Sequence, residues 1–431
     1  MNTPVIQFQI HSEISQEIAY TLQVFGRYIG FSCKFLNADS DVDDAVVIIA
    51  EHGACDIPLS HFFSKCYLSG DYAFKSYFKK GPLHYSSSGK PDYLSTCFYL
   101  LACIQEYADY KADRYHRFPF SESLQHTFNC VEKNLVADYF DLLYNNTKKI
   151  NTQVSKQTIP SRVFLTHDID TLYGALRENA KPLLRKGQIG KLLQLMMHHY
   201  FQTPDYMLFD KIMQLENAYD VKSTFFWLIH RNKYALRIPN ADYVLEKKEV
   251  QQLLIAVKEN DCVNGLHKSY STKSYSNELQ LLKDKAEPIN RNHFLMMELP
   301  HTFNAIEEGG IQLDSTLAFA ETPGWRNNFG LPFQPYNVKQ RSAYNFTEVP
   351  LTIMDATFNH YMHLTPEAST EYIINFLENN RFNCVHTILW HNNYFFNYDV
   401  PGWLDTYKSI LVWMKENNLQ HIMPEELIIS E

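Results

Sequence analysis

Seven short apolar runs, separated by polar stretches of helical character, constrain the fold of this chain more than any other feature. They are Val163–Asp170, Ser223–Ile229, Cys262–His267, Ile289–Leu295, Ile311–Leu317, Phe346–Asp355 and Cys384–His391. Short apolar runs bounded by turn signals read as buried strands. Stretches such as Asn277–Lys285 and Pro366–Glu378 read as the helices between them. A strand-then-helix alternation implies a parallel sheet, open or closed, and seven runs suggest closure into a barrel.

The first third reads as a smaller α/β unit. Val5–Ile10 alternates, with Ile6, Phe8 and Ile10 on one face, as a strand does. Ser12–Ile29 then puts Ile18, Leu22, Phe25 and Ile29 at helical spacing and stops at Gly30. Asn145–Pro160 is dominated by Asn, Thr, Lys, Ser and Gln and is expected as a linker. The chain of 431 residues is long enough for the two units this implies: an α/β domain over 1–144 and a barrel over 161–431, joined by 145–160.

Several function classes are disfavoured. Lys and Arg total 39 against 48 Asp and Glu, a net charge of −9, so the electrostatic footprint of a nucleic-acid binder is missing. No apolar run approaches the roughly 18–20 residues of a membrane helix. Met1–Ile10 lacks the pattern of a secretory signal. Eight cysteines without a CxxC pair read as reduced thiols, and a cytoplasmic setting is expected. The P-loop, GxGxxG, GxSxG and HExxH patterns are absent, against the commonest nucleotide-binding and serine-hydrolase chemistries.

In parallel α/β folds the reactive groups collect at the carboxyl ends of the strands. The runs carry Asp168 and Asp170, His267, Arg291 and His293, Asp314, Asp355 and His391 at or near those ends. Strand parity puts Asp168 and Asp170 on one face and His167 on the other. Two close carboxylates repel, and a metal at one of them relieves this while leaving the other as a base. The plainer alternative is a polar turn with Asp170 capping a helix. His267 could equally be structural, Arg291 a surface ion-pair partner, and His391 a hydrogen-bonded loop residue. Gly265 would allow close approach of a neighbouring element. Asp314 and Asp355 are expected to touch substrate, as are Trp325 and Arg326 in a Pro-Gly-Trp-Arg loop that also reads as a plain turn. Met196-Met197-His198-His199 reads as a helix flank rather than a metal site.

Thr166-His167-Asp168-Ile169-Asp170 resembles the opening motif of the polysaccharide deacetylases, the nodulation-B homology family. The resemblance covers about 161–431 and is narrowest to a bacterial subgroup with an additional N-terminal domain. Gly-Leu-His267-Lys-Ser-Tyr, Arg291-Asn-His293-Phe-Leu, Asp314-Ser-Thr-Leu, Pro-Leu-Thr-Ile-Met-Asp355 and Leu-Trp-His391-Asn carry that narrower match. It implies a distorted seven-stranded (β/α) barrel that removes acetyl groups from N-acetylated sugars with a divalent metal, zinc first, cobalt or manganese next. By this resemblance Asp168 is the general base, Asp170 a metal ligand, Arg291 the group holding the base, and His391 the acid that protonates the leaving amine.

One departure stands out. The family's second motif is a histidine pair four residues apart, and here it becomes His267 and Ser271. Serine is a poor zinc ligand beside imidazole and carboxylate. His293, two residues past Arg291 and on the same side, is the expected replacement, giving Asp170, His267 and His293 as the metal set. Metal loss is the alternative, with a metal-independent amidase or a non-catalytic carbohydrate binder as its outcomes. The expected partner is an acetylated amino sugar, for instance a surface-glycan precursor. The first domain could position substrate, dimerise the chain or recruit a partner.

Overall fold

The computed structural model describes residues 3–201, 206–231, 238–396 and 401–429. His198 and His199 fall in a helix, Ile189–Phe201, and their side chains lie outside the described residues.

The chain opens with four parallel strands, β1 (Val5–His11), β2 (Ser32–Leu36), β3 (Val47–Ala50) and β4 (Ile57–Pro58), in the order β2-β1-β3-β4. The helix Ser15–Ile29 buries Ile18, Leu22, Phe25 and Ile29. It ends where Gly30, at φ 104°, donates its N–H to the Gly26 carbonyl, a left-handed cap open to glycine without strain. The stretch expected as a linker is more ordered than its composition implies. The helix Leu135–Asn146 runs into it, and a further turn, Lys148–Asn151, follows. Ile150 and Val154, four residues apart, are both buried and pin the segment to the core.

The rest of the chain builds one curled parallel sheet. Its strands are β5 (Arg162–Ile169), β6 (Ser223–Leu228), β7 (Val263–Lys268), β8 (Ile289–Asn292) and β9 (Leu313–Asp314). A small hairpin follows, β10 (Tyr336–Asn337) with β11 (Ser342–Ala343). The sheet resumes with β12 (Thr347–Glu348), β13 (Ile353–Met354) and β14 (Val385–Leu389), in the order β12-β9-β8-β7-β6-β5-β14-β13.

Seven runs therefore yield eight strands. The difference lies in Phe346–Asp355, which divides into the two edge strands β12 and β13. Pro350 has no N–H for a ladder and interrupts the run. Before it, Val349 N–H bonds to the Asp314 carbonyl (2.8 Å); after it, Thr352 N–H bonds to the Thr387 carbonyl (3.1 Å). One stretch of chain thus spans the gap between the two sheet edges.

Parity decides what lies inside the curl. Phe164, Phe226, Ile289, Leu313, Val349 and Val385 form a compact apolar cluster with Ile422 and Leu427. Thr166 and Asp168 share the face of Phe164, and Arg291 that of Ile289. Apolar side chains therefore plug one end of the curl, and polar ones occupy the carboxyl end of the same faces. The main hydrophobic core runs without a break from Ile6 and Phe8 in the first sheet to Trp390 and Tyr407 in the second unit.

Candidate active site

The site begins with β5. Its carboxyl end presents Asp168, 2% exposed, and Asp170 one step beyond the strand. His167 faces outward and is fully buried, with Nε2 2.9 Å from Glu216 and Nδ1 2.7 Å from the Trp390 carbonyl. The two aspartates share His267, whose Nε2 lies 3.6 Å from Asp168 Oδ2, but otherwise meet different neighbours. Asp168 Oδ1 accepts from Arg291 Nη1 at 3.1 Å. Asp170 Oδ1 lies 3.2 Å from His267 Nε2 and 3.7 Å from His293 Nε2, and its Oδ2 lies 3.7 Å from His391 Nε2.

Arg291 is fully buried over the Phe226 ring, 4.7 Å from its centroid. Its Nε donates to the Ser315 carbonyl, Nη2 to Ser315 Oγ, and Nη1 to Thr166 Oγ1 as well as Asp168. A guanidinium anchored on three sides fixes the carboxylate it faces.

His267 Nδ1 is 2.9 Å from the Arg291 carbonyl. A carbonyl only accepts, so Nδ1 carries the proton and the neutral ring turns the Nε2 lone pair towards Asp170. Two acceptors at this distance repel unless a cation or proton sits between them. Among the described residues, Asp170 Oδ1 and His293 Nδ1 are both buried without a hydrogen-bond partner. One ligand atom each from Asp170, His267 and His293 lies within 4.8 Å of the others. Two imidazoles and a carboxylate, with the remaining side open to a pocket, fit a borderline divalent cation such as zinc. Without one, burial pulls His267 down, but Asp168 and Asp170 outweigh it and raise its pKa. Burial lowers His293 to about 4 despite Asp170. Burial pushes the Asp170 carboxyl up, but His293, His267 and His391 hold it far below the ordinary carboxylate range.

His391 follows β14 and pairs with Asp355, which follows β13. Its Nδ1 is 2.7 Å from Asp355 Oδ1, and its backbone N–H donates to Oδ2 at 2.6 Å. Burial disfavours the imidazolium, but the Asp355 carboxylate overcomes this and raises His391 to about 10.

Asp168, Asp170, His267, His293 and His391 line one pocket of ≈ 690 Å³, with Arg291 directly behind Asp168. The other expected residues lie elsewhere. Asp355 is fully buried behind His391 and is not among the pocket-lining residues, so it orients the imidazole rather than touching substrate. Asp314 is fully buried, bonded to Asn290 and Thr316 and paired with Glu348. Burial raises both carboxyls; the hydrogen bond between them offsets part of this for Asp314, while the Asp314 charge and that bond raise Glu348 further. Trp325 is fully buried against Phe376, and Arg326 is buried in a bidentate pair with Glu106 of the first domain. Substrate contact by Asp314, Trp325 and Arg326 is therefore corrected: packing removes all three from the pocket. Ser271 is also outside it, donating to Glu278 (2.6 Å).

Other pocket residues escaped the sequence reading. Asp242 accepts from Thr171 Oγ1 and from the N–H groups of Leu172 and Tyr173, closing the turn that follows Asp170. Tyr361 and His360 come from the segment after β13, and Arg114, Tyr115 and Arg117 come from the first domain. The dense charge and aromatic content of Asp-Arg-Tyr-His-Arg, 113–117, was the available signal.

Residues 6–152 match a family of unknown function, DUF7033. A comparison with curated proteins finds no match. Among solved structures, a Mycobacterium smegmatis protein described as a polysaccharide deacetylase is similar at 13% identity, over 63% of this chain and 89% of its own, with a TM-score of 0.40. A polysaccharide deacetylase from Bacillus cereus is similar at 13% identity, over 62% and 93%, with a TM-score of 0.32. The chitin deacetylase of the fungal pathogen Colletotrichum lindemuthianum is similar at 11% identity, over 63% and 89%, with a TM-score of 0.33.

Proposed function

We propose that the chain is a metal-dependent hydrolase that removes the acetyl group from an N-acetylated sugar, such as a precursor of a surface glycan. The observation that carries this reading is the convergence on one pocket of three units. These are the Arg291–Asp168 pair, the Asp170–His267–His293 cluster and the Asp355–His391 pair. The motif resemblance of Thr166–Asp170 points the same way.

Asp170, His267 and His293 would hold the metal, which when bound supplies Lewis-acid activation of water and of the acetyl carbonyl. Asp168 takes the proton of the attacking water, and Arg291 keeps that carboxylate aimed. His391 delivers a proton to the departing amine, and Asp355 keeps the imidazole charged and oriented until then. The atoms balance: water adds across the C–N bond, releasing acetate and a free amine. Acid and base sit on separate groups, His391 against the Asp355 carboxylate and Asp168 against the Arg291 guanidinium.

The test is metal content with turnover. Near-stoichiometric metal in the parent, lost in both His267→Ala and His293→Ala, is expected. Asp168→Ala should retain the metal and lose about 10²–10⁴ in rate on N-acetylated sugars. A parent that binds no zinc, cobalt or manganese would leave the metal-independent amidase or the non-catalytic binder in its place.

A further inference from the structure

The first sheet carries a cluster of its own. In its order, β2-β1-β3-β4, β1 has β2 on one flank and β3 on the other, so the chain reverses its direction of travel across the sheet there. In open parallel sheets the carboxyl ends of two such strands part into a crevice, the usual seat of a ligand. His11 of β1 pairs with Ala50 of β3, so Ser12 and Glu51 are the first residues past the strands at that point.

Three metal-ligating side chains converge there. Glu51 and His52 follow β3, and His61 opens the helix His61–Leu68. Glu51 Oε2 lies 2.5 Å from His61 Nδ1, and the rings of His52 and His61 are 4.9 Å apart. One ligand atom from each of the three lies within 4.8 Å of the others. The Glu51 side chain is 7% exposed and that of His61 35%, while His52 is exposed. Among the described residues, His61 Nε2 and both ring nitrogens of His52 make no hydrogen bond.

Glu51 is held ready as an anion. Ser12 Oγ and Ser64 Oγ both donate to its Oε1, at 2.5 and 2.6 Å. Ser12 Oγ also accepts from the Ile14 N–H (3.2 Å), which turns its own proton towards the carboxylate. Burial raises the Glu51 carboxyl, but Ser12, Ser64 and His61 outweigh it and hold its pKa below the ordinary value. Among the described residues no Lys or Arg pairs with it. A shielded carboxylate aimed by two hydroxyls and faced by imidazole lacks a full counter-charge. A clasp between strand and helix would need only Glu51 and His61, and leaves the second imidazole beside them without a role.

We propose that Glu51, His52 and His61 bind a divalent cation of the zinc class, with one coordination position open to solvent. Two imidazoles and a carboxylate are a donor set such a cation takes. The cation replaces the proton between His61 Nδ1 and the carboxylate and supplies the missing charge. Ser12 and Ser64 orient the carboxylate from behind. Three protein ligands leave a fourth position for water or for an oxygen ligand seated in the crevice. Solvent reaches two of the three ligands, so this site fills on added metal, whereas the buried cluster of the pocket keeps its own through purification. The inference is independent of the deacetylase reading.

The experiment is equilibrium dialysis of the full-length protein, stripped with a chelator, against zinc, with bound metal read by elemental analysis. His52→Ala, His61→Ala and Glu51→Gln should each bind one zinc fewer per chain than the parent at equal free zinc. Ser64→Ala should weaken that same equivalent about tenfold or more. Circular dichroism checks folding, and exposed His52 supplies a variant that leaves the core untouched. In His267→Ala, which disables the pocket cluster, cobalt should still give the visible absorption of a four-coordinate ion, and adding His52→Ala should remove it. Equal zinc in the parent and the variants would overturn the proposal. So would a loss that spares Glu51→Gln, because binding without the carboxylate is adventitious binding by exposed imidazoles. The zinc that His267→Ala loses belongs to the pocket and the zinc that His52→Ala loses belongs to the crevice, so the two sites stand or fall separately.

Discussion

At the scale of single residues, the Asp355–His391 pair makes a claim about pH. His391 is a competent acid only while protonated, and the Asp355 carboxylate keeps it so up to about pH 10. Replacing Asp355 by Asn removes the charge but retains a group that can bond to Nδ1. The imidazole should then fall back towards its unperturbed value of about 6.5. The alkaline limb of kcat against pH should therefore move down by at least about one unit in Asp355→Asn. The sign for stability follows from the same shift. The folded pKa lies above the unfolded one, so the pair's contribution is complete below about pH 6.5 and is lost as pH rises through about 10. A pH–rate profile of the two proteins decides the matter, and coincident alkaline limbs would remove His391 as the acid. This part of the site was half legible in the sequence. Strand parity separated Asp168 and Asp170 from His167, because that depends only on the pleat. The partner of His391 was not legible, because Asp355 and His391 are 36 residues apart and meet only through the pairing of β13 with β14.

At the scale of elements, the seven apolar runs were readable because buried parallel strands carry little else. Where one of them would break was harder, since Phe346–Asp355 changes sheet edge at a proline that a sequence also tolerates in an edge strand. The inner cluster makes the packing testable. A Cβ on Gly265 would stand 2.6 Å from Ile289 Cγ1 and 2.8 Å from the Phe226 ring, closer than side chains approach. Both neighbours are fully buried, so neither has room to yield. Gly265→Ala should cost about 1–3 kcal/mol, read as a lower urea midpoint at an unchanged m value. Phe226 also lies beneath the Arg291 guanidinium, so the same variant should lose turnover through a misaimed Asp168. Full stability in Gly265→Ala would mean that β7 and β8 pack less tightly than the structure has them.

At the scale of the whole molecule, the two units share one continuous hydrophobic core, and composition alone did not say so. A Pro-Gly-Trp-Arg sequence looks like an exposed turn, yet Trp325 and Arg326 are buried because the first domain covers them. Trp325 N–H bonds to the Val131 carbonyl, and Arg326 clasps Glu106 through Nε (2.7 Å) and Nη2 (2.5 Å). Both charges are essentially free of solvent, with side chains 1% and 0% exposed. A buried pair of this kind costs much to desolvate, and its removal in halves is worse than its removal whole. Arg326→Ala leaves Glu106 buried and uncompensated and should destabilise the protein by about 3–5 kcal/mol. Exchanging both members, Arg326→Met with Glu106→Leu, removes the stranded charge and should recover most of that loss. Urea unfolding of Arg326→Met, Glu106→Leu and the double variant measures the coupling directly. If the units were independent, the single variants would split the transition in two and leave the barrel's midpoint where it was. One shared transition, lowered in each single variant and restored in the double, is the outcome expected of a continuous core.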